Sequence, residues 1–285
     1  MVTAPVLAAP SRPRHPLPAG ACDCHAHLFG PFERFPPIDL KAKTIFAPFE
    51  AYQAMLDRMG FARAVIVQPA AYDQNHHLML NALDRSNGRF RAVGVKDPTV
   101  SDAELANMNE RGFRGLRFNE LVTAGEPVAL SALERLAPRM RELGWHAQLY
   151  ALCERIVDVL PKLLSFRIPL VIDHCARVGP SERTTNDLAF RSLVNRFKDG
   201  EFWIKLTAYR NSKTPPNIDD MRSFHEALVH ANPDRVIWGS DWPYLSMLGN
   251  PPDTGRLVDY LIDWTPEEAV LRKILVDNPA KLYGF

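Results

Sequence analysis

The chain has 285 residues, 46% of them hydrophobic, and its 34 basic and 33 acidic side chains leave a formal net charge of +1. That balance offers no footprint for nucleic acid or an anionic surface, and no apolar run reaches the roughly 18 residues that span a bilayer. The length suits one large domain, and an α/β barrel takes about 250 residues.

Residues 1–20 contain five prolines, no charged leader and only a short apolar run. They are expected to form an irregular N-terminal arm, not a secretory signal. Eight short apolar runs follow: 21–29 (ACDCHAHLF), 62–70 (ARAVIVQPA), 90–97 (FRAVGVKD), 112–119 (GFRGLRFN), 146–152 (HAQLYAL), 169–176 (PLVIDHCA), 202–209 (FWIKLTAY) and 235–243 (RVIWGSDWP). Near-continuous apolar character is expected of parallel strands covered on both faces. Helical periodicity fills the intervals at about 48–60, 74–87, 101–111, 131–143, 153–165, 187–199 and 218–231. Ser131 and Glu134 read as a capping box. Thr265, Pro266 and Glu268 open a helix to about 276, and a short one begins near Asn278.

Eight strands alternating with helices predict an α/β protein with a single (β/α)8 TIM barrel over 21–285. An open doubly wound sheet is disfavoured, because no G-x-G-x-x-G follows the first run. Cys22, Cys24, Cys153 and Cys175 lack zinc-site spacing and read as free thiols of a reducing, cytoplasmic compartment.

Barrel chemistry collects at the C-terminal strand ends. There the first run places Asp23, His25 and His27, which strict alternation would put on one face. The fourth run ends in Arg117 and Asn119, and the fifth in Gln148 and Tyr150. The sixth ends in Asp173 and His174, with Arg177 beyond. The seventh supplies Lys205, Tyr209 and Arg210, and the eighth Ser240 and Asp241. One such residue alone would be a cap or a core group, but so many converging polar groups are costly to bury without use. His15, His76, His77, His146, His225 and His230 lie elsewhere and are expected to be structural or solvated.

D-x-H-x-H in the first run, I-D-H in the sixth and G-S-D-W-P in the eighth resemble the amidohydrolase superfamily. The opening DCHAHLFGPFERFP is similar to the 2-pyrone-4,6-dicarboxylate lactonase group. That resemblance spans about residue 20 to 285 and implies a lactone hydrolase acting on a small anionic molecule. It implies that His25, His27 and His174 polarise the lactone carbonyl and that Asp241 is the base for water. It assigns Arg117, Tyr150, Arg177, Arg210 and Asn119 to substrate binding, where arginine forks suit carboxylate. Asp23 is expected to orient a neighbouring histidine. One departure is Thr123, where the group carries a second arginine, with acidic Glu120 nearby. A lactone with a single carboxylate, of muconolactone or sugar-acid type, therefore fits better than the dicarboxylate.

No cofactor is expected. Gln148 and Tyr150 stand where metal-dependent relatives carry a histidine, and the positive Arg117 would oppose a cation. A single divalent metal such as zinc, on His25, His27 and Asp241 with His174 as a possible fourth contact, is the alternative. Lactone isomerisation on the same site and zinc-dependent decarboxylation are the rival reactions. A binding protein without catalysis is disfavoured by the retained Asp241. Oligomeric state leaves no mark in the sequence.

Overall fold

A computed structural model describes residues 9–119, 128–180 and 184–285. Eight parallel strands follow one another in sequence order: β1 (Cys22–Ala26), β2 (Arg63–Val67), β3 (Phe90–Gly94), β4 (Phe113–Asn119), β5 (His146–Tyr150), β6 (Leu170–Ile172), β7 (Trp203–Leu206) and β8 (Val236–Trp238). Helices α1 (Phe49–Met59), α2 (His77–Arg85), α3 (Asp102–Glu110), α4 (Val128–Glu142), α5 (Cys153–Ser165), α6 (Leu188–Lys198) and α7 (Arg222–Ala231) alternate with the strands. Beyond β8 come α8 (Thr254–Trp264), α9 (Glu268–Arg272) and α10 (Asn278–Tyr283). This is the expected (β/α)8 barrel. No helix among the described residues is long and apolar enough to cross a membrane.

Each helix turns a stripe to the sheet. In α5 the buried residues are Cys153, Ile156, Leu160 and Leu163, spaced three and four apart as one helical face requires. Inside the barrel, Cys22, Cys24, Val65, Val67, Val93, Val171, Trp203 and Ile237 form a separate core, floored by Tyr283 of α10. Period-two alternation along the strands produces these two apolar layers.

Two expectations shift. Helix α4 begins at Val128, so Ser131 lies inside it and is no N-cap. Helix α8 has no counterpart among the expected elements, because the Gly249-Asn250-Pro251-Pro252 stretch ahead of it reads as loop. Its N-cap is Asp253, which accepts from the Arg256 N–H. The arm is irregular from residue 9 onward, yet anchored: the Ser11 N–H and Oγ bond Asp253, and the Arg14 N–H donates to Asp259 at 2.7 Å.

The barrel closes at its mouth. Ala26 pairs in parallel with Trp242, the Asp241 N–H donates to the His25 carbonyl at 2.8 Å and the His27 N–H to the Trp242 carbonyl at 2.7 Å. Gly239 permits this approach, since a Cβ there would lie 2.5 Å from the His25 Cβ and 2.9 Å from its nitrogen. Gly239→Ala should therefore cost about 1–3 kcal/mol, the usual scale of overpacking. Gly249, with nothing within 4 Å of an added Cβ, is the control. Urea denaturation should show a lowered midpoint for the first variant and an unchanged one for Gly249→Ala. Equal midpoints would contradict this account of the closure.

Candidate active site

The register of β1 against β2 shifts between Asp23 and Ala26. This irregularity redirects the side chains. Cys22 and Cys24 belong to the interior core, and alternation alone would turn His25 away from it. Instead both His25 and His27 face the interior, with their Nε2 atoms 3.3 Å apart. Asp23 does not join them. Its carboxylate accepts from the Ser240 N–H at 2.8 Å, the Ser240 Oγ at 2.6 Å and the Tyr52 hydroxyl of α1 at 3.0 Å. It also accepts from the His25 backbone N–H at 3.2 Å, but no imidazole. The expectation that Asp23 orients a histidine ring is thus corrected: it ties β1 to the segment after β8. With no cation beside it, burial pushes its carboxyl up to about 6, against the pull of the Ser240, His25 and Tyr52 donors.

Asp241 lies at the end of that tied segment with φ of 57°. Its Oδ1 is 3.4 Å from His27 Nε2 and 3.7 Å from His25 Nε2. Its Oδ2 accepts from the Tyr209 hydroxyl at 2.6 Å and from Arg210 at 2.8 Å. One oxygen is held and the other is presented to the histidines. Burial would raise this carboxyl, but Arg210, His174 and the His27 contact outweigh it and hold it well below the ordinary carboxylate range.

His174 enters from a four-residue left-handed turn, His174–Arg177, with φ between 50° and 55° throughout. Such backbone costs roughly 1–2 kcal/mol per residue outside glycine, and the Asn211 side chain steadies it by donating to the His174 carbonyl at 2.8 Å. The turn brings the His174 ring to 4.7 Å from His25 and 5.3 Å from Tyr150, centre to centre. Both its ring nitrogens are buried without a protein partner, and burial holds the ring neutral, far below the usual imidazole range. Buried ring nitrogens without a protein partner suit a ligand.

Beside the histidines, three guanidiniums surround one ring. Arg117, Arg177 and Arg210 lie 5.3, 5.5 and 5.4 Å from the Tyr150 centre. Arg210 and Arg177 also donate to its hydroxyl at 2.8 and 3.2 Å. Arg117 and Arg210 are each shared with a protein carboxylate, Asp173 at 3.1 Å and Asp241 at 2.8 Å. Asn119, at the exposed end of β4, lines a rim cavity with Arg117, Gln68 and Lys96. Thr123 and Glu120 lie outside the described residues.

Beneath His25 is a polar layer that the sequence named only as strand ends. Fully buried Lys205 donates to Gln148 Oε1 at 2.6 Å and lies 3.3 Å from His25 Nδ1. Gln148 Nε2 donates to Asp173 Oδ2 at 3.0 Å. Burial would raise Asp173, yet Lys205, His25 and Arg117 bring it well below the usual range. His25 is lowered to about 3, first by burial and then by Lys205. The signal for this layer was the alternation of His146, Gln148 and Tyr150 on β5, and of Trp203 and Lys205 on β7. His146, at the start of β5, packs against Tyr283 at the opposite end of the barrel interior.

His25 Nε2, His27 Nε2 and Asp241 Oδ1 can together hold a metal ion. Their separations of 3.3, 3.4 and 3.7 Å match the roughly 3.4 Å ligand–ligand edge of a tetrahedral site with bonds near 2.1 Å. Arg117 opposes such an ion less than its formal charge suggests, since Asp173 pairs with it. A second grouping, His25, Asp173 and His174, fits less well because the Lys205 amine lies 3.3 Å from His25 Nδ1 and 3.6 Å from Asp173 Oδ1, where its positive charge would oppose an ion.

Known proteins share this framework. The chain is 34% identical over 277 residues to 4-sulfomuconolactone hydrolase of Hydrogenophaga intermedia, covering 95% of this chain and 91% of that protein. It is 34% identical over 291 residues to 2-pyrone-4,6-dicarboxylate hydrolase of Comamonas testosteroni, covering 96% and 93%. A crystal structure from Acinetobacter baumannii, described as a probable 2-pyrone-4,6-dicarboxylic acid hydrolase with citric acid bound, superposes with a TM-score of 0.80 at 26% identity, over 93% of this chain and 100% of that one. The amidohydrolase family model matches residues 22–285. With that match spanning the whole barrel, the chain belongs to the amidohydrolase family.

Proposed function

We propose that the chain hydrolyses a lactone carrying one carboxylate, of muconolactone or sugar-acid type. The observation that carries this reading is the meeting of the Asp241 carboxylate with the His25 and His27 imidazoles beside a cage of arginines. Water attacks the lactone carbonyl carbon while Asp241 Oδ1 accepts its proton. His25 and His174 donate hydrogen bonds to the carbonyl oxygen as it becomes an oxyanion. Collapse of the tetrahedral species breaks the ring C–O bond, and the proton held by Asp241 passes to the leaving alkoxide. The Tyr150 hydroxyl and the guanidiniums of Arg177, Arg210 and Arg117 take the carboxylate. Because Arg117 and Arg210 already serve protein carboxylates, the cage suits one anionic group. Asn119 contacts the substrate from the rim. The buried free cysteines support work in a reducing compartment, the cytoplasm.

The residues carry out these steps without an ion in this reading. A continuous run of hydrogen bonds supports it: Lys205 to His25 Nδ1, His25 Nε2 to His27 Nε2, and His27 Nδ1 to the Val67 carbonyl. Every imidazole nitrogen in the run has a protein partner. A second reading has its own support in the ligand spacing of His25, His27 and Asp241. A divalent ion there would polarise the carbonyl and acidify water. Metal analysis with dialysis against a chelator separates the two. Retained turnover in metal-free protein is expected for the first, and stoichiometric metal with lost turnover would establish the second.

Asp241→Asn and His174→Ala should each lower kcat by at least about 10²-fold, the scale of a lost base or oxyanion donor. The assay follows acid release from carboxylated lactones, with NMR confirming an open acid and not a rearranged ring. Near-normal rates in both variants would end the proposal. Arg177→Ala should raise KM more for anionic than for neutral lactones. Arg117→Ala should in addition lower kcat, because Arg117 also holds Asp173. Equal KM effects of Arg177→Ala on both substrate types would remove the anion-binding role.

A further inference from the structure

Lys205 is deep in the barrel interior, fully buried, on a strand that otherwise contributes Trp203, Ile204 and Leu206 to apolar layers. A lysine there loses solvation and rotamer freedom, so its surroundings are informative. Its neighbours are Gln148 Oε1 at 2.6 Å, His25 Nδ1 at 3.3 Å and Asp173 Oδ1 at 3.6 Å.

Proton positions follow from one acceptor-only group. Ionised Asp173 receives Arg117 Nε at 3.1 Å and a Gln148 amide atom at 3.0 Å. That amide atom must be the NH2, so the Gln148 oxygen faces Lys205. Lys205 is therefore a donor to Gln148. Burial lowers the lysine from its ordinary value while the ionised Asp173 beside it pulls the other way. As an ammonium held by that carboxylate it carries further protons for Asp173 Oδ1 and His25 Nδ1. An imidazole nitrogen facing an ammonium accepts. His25 then carries its proton on Nε2, the atom that points toward His27 and Asp241. Asp173 Oδ1, 3.4 Å from His25 Nδ1, competes for a proton on that nitrogen and would favour the other tautomer, but the Lys205 ammonium is nearer, at 3.3 Å from His25 Nδ1, and lies 3.6 Å from the same carboxylate oxygen.

We propose that Lys205 is a positioning residue that fixes the tautomer of His25, keeping Nε2 protonated as the hydrogen-bond donor to the lactone carbonyl oxygen. Gln148 and Asp173 hold Lys205 in place for that task. This rests on the hydrolysis reading given above for the donor role, while the tautomer assignment stands on geometry alone. Replacing Lys205 removes the competitor of Asp173 for His25 Nδ1, and the proton should move to Nδ1.

Nitrogen-15 NMR of histidine-labelled full-length protein tests this, with His25 assigned through the signal lost in His25→Gln. The wild-type chain should show His25 protonated at Nε2 and unprotonated at Nδ1. Lys205→Met should show the reverse, with kcat lowered about 10²-fold or more and KM changed far less. A wild-type His25 protonated at Nδ1, or bound to metal through Nε2, would overturn the proposal whether or not the variant folds. An unchanged tautomer in folded Lys205→Met would also overturn it. If instead the tautomer is as assigned but no lactone is turned over, the hydrolysis reading fails and the assignment stands.

Discussion

The site depends on how the last strand is fastened to the first. The Asp23 carboxylate takes both the N–H and the hydroxyl of Ser240, and one residue later the Asp241 N–H reaches the His25 carbonyl. Three hydrogen bonds thus set the carboxylate of Asp241 within 3.7 Å of two imidazoles that precede it by more than two hundred residues. Two features make the fastening possible. The irregular register of β1 lets Asp23 face outward while His25 and His27 face inward. Gly239 leaves room for the backbone of His25.

Charge is organised in layers around that joint. Asp173, Lys205, Arg117 and Gln148 form a buried network below His25, and Asp241, Arg210, Tyr209 and Tyr150 form another above it. The carboxylates of these two networks, Asp173 and Asp241, face cations and are held ionised despite their burial. His25 and His174 stay neutral because desolvation disfavours their cations. Neutral imidazoles can donate to an oxyanion, or accept, according to which nitrogen carries the proton. Second-layer contacts such as the one from Lys205 therefore bear on the chemistry although they never reach a substrate.

Much of this was legible in the sequence. The eight apolar runs and their spacing carried the barrel, and strand-end position carried His25, His27, His174, Arg117, Tyr150, Arg210 and Asp241. Strict alternation misplaced Asp23, because a register shift in one strand is not written in side-chain polarity. Ser131 misled as a cap because the residue pattern S-x-x-E also occurs inside helices. Helix α8 was hidden behind a Pro-Pro and Gly-Asn stretch that reads as loop. The interior layer of Gln148, Lys205 and Asp173 was visible residue by residue, but its pairing across three strands needed the barrel's registers. Tyr52, reaching Asp23 from α1, left no signal at all.

The arrangement makes a definite demand on where a substrate lies. In the proposed hydrolysis its carbonyl lies among His25, His174 and Asp241, and its carboxylate against Tyr150 and the arginines. A crystal structure of Asp241→Asn with a carboxylated lactone bound tests this most directly. The account predicts the carbonyl oxygen within hydrogen-bond distance of His25 Nε2 and the carboxylate on the Tyr150 hydroxyl and Arg177. A ring bound in the opposite sense, or outside the barrel mouth, would contradict it.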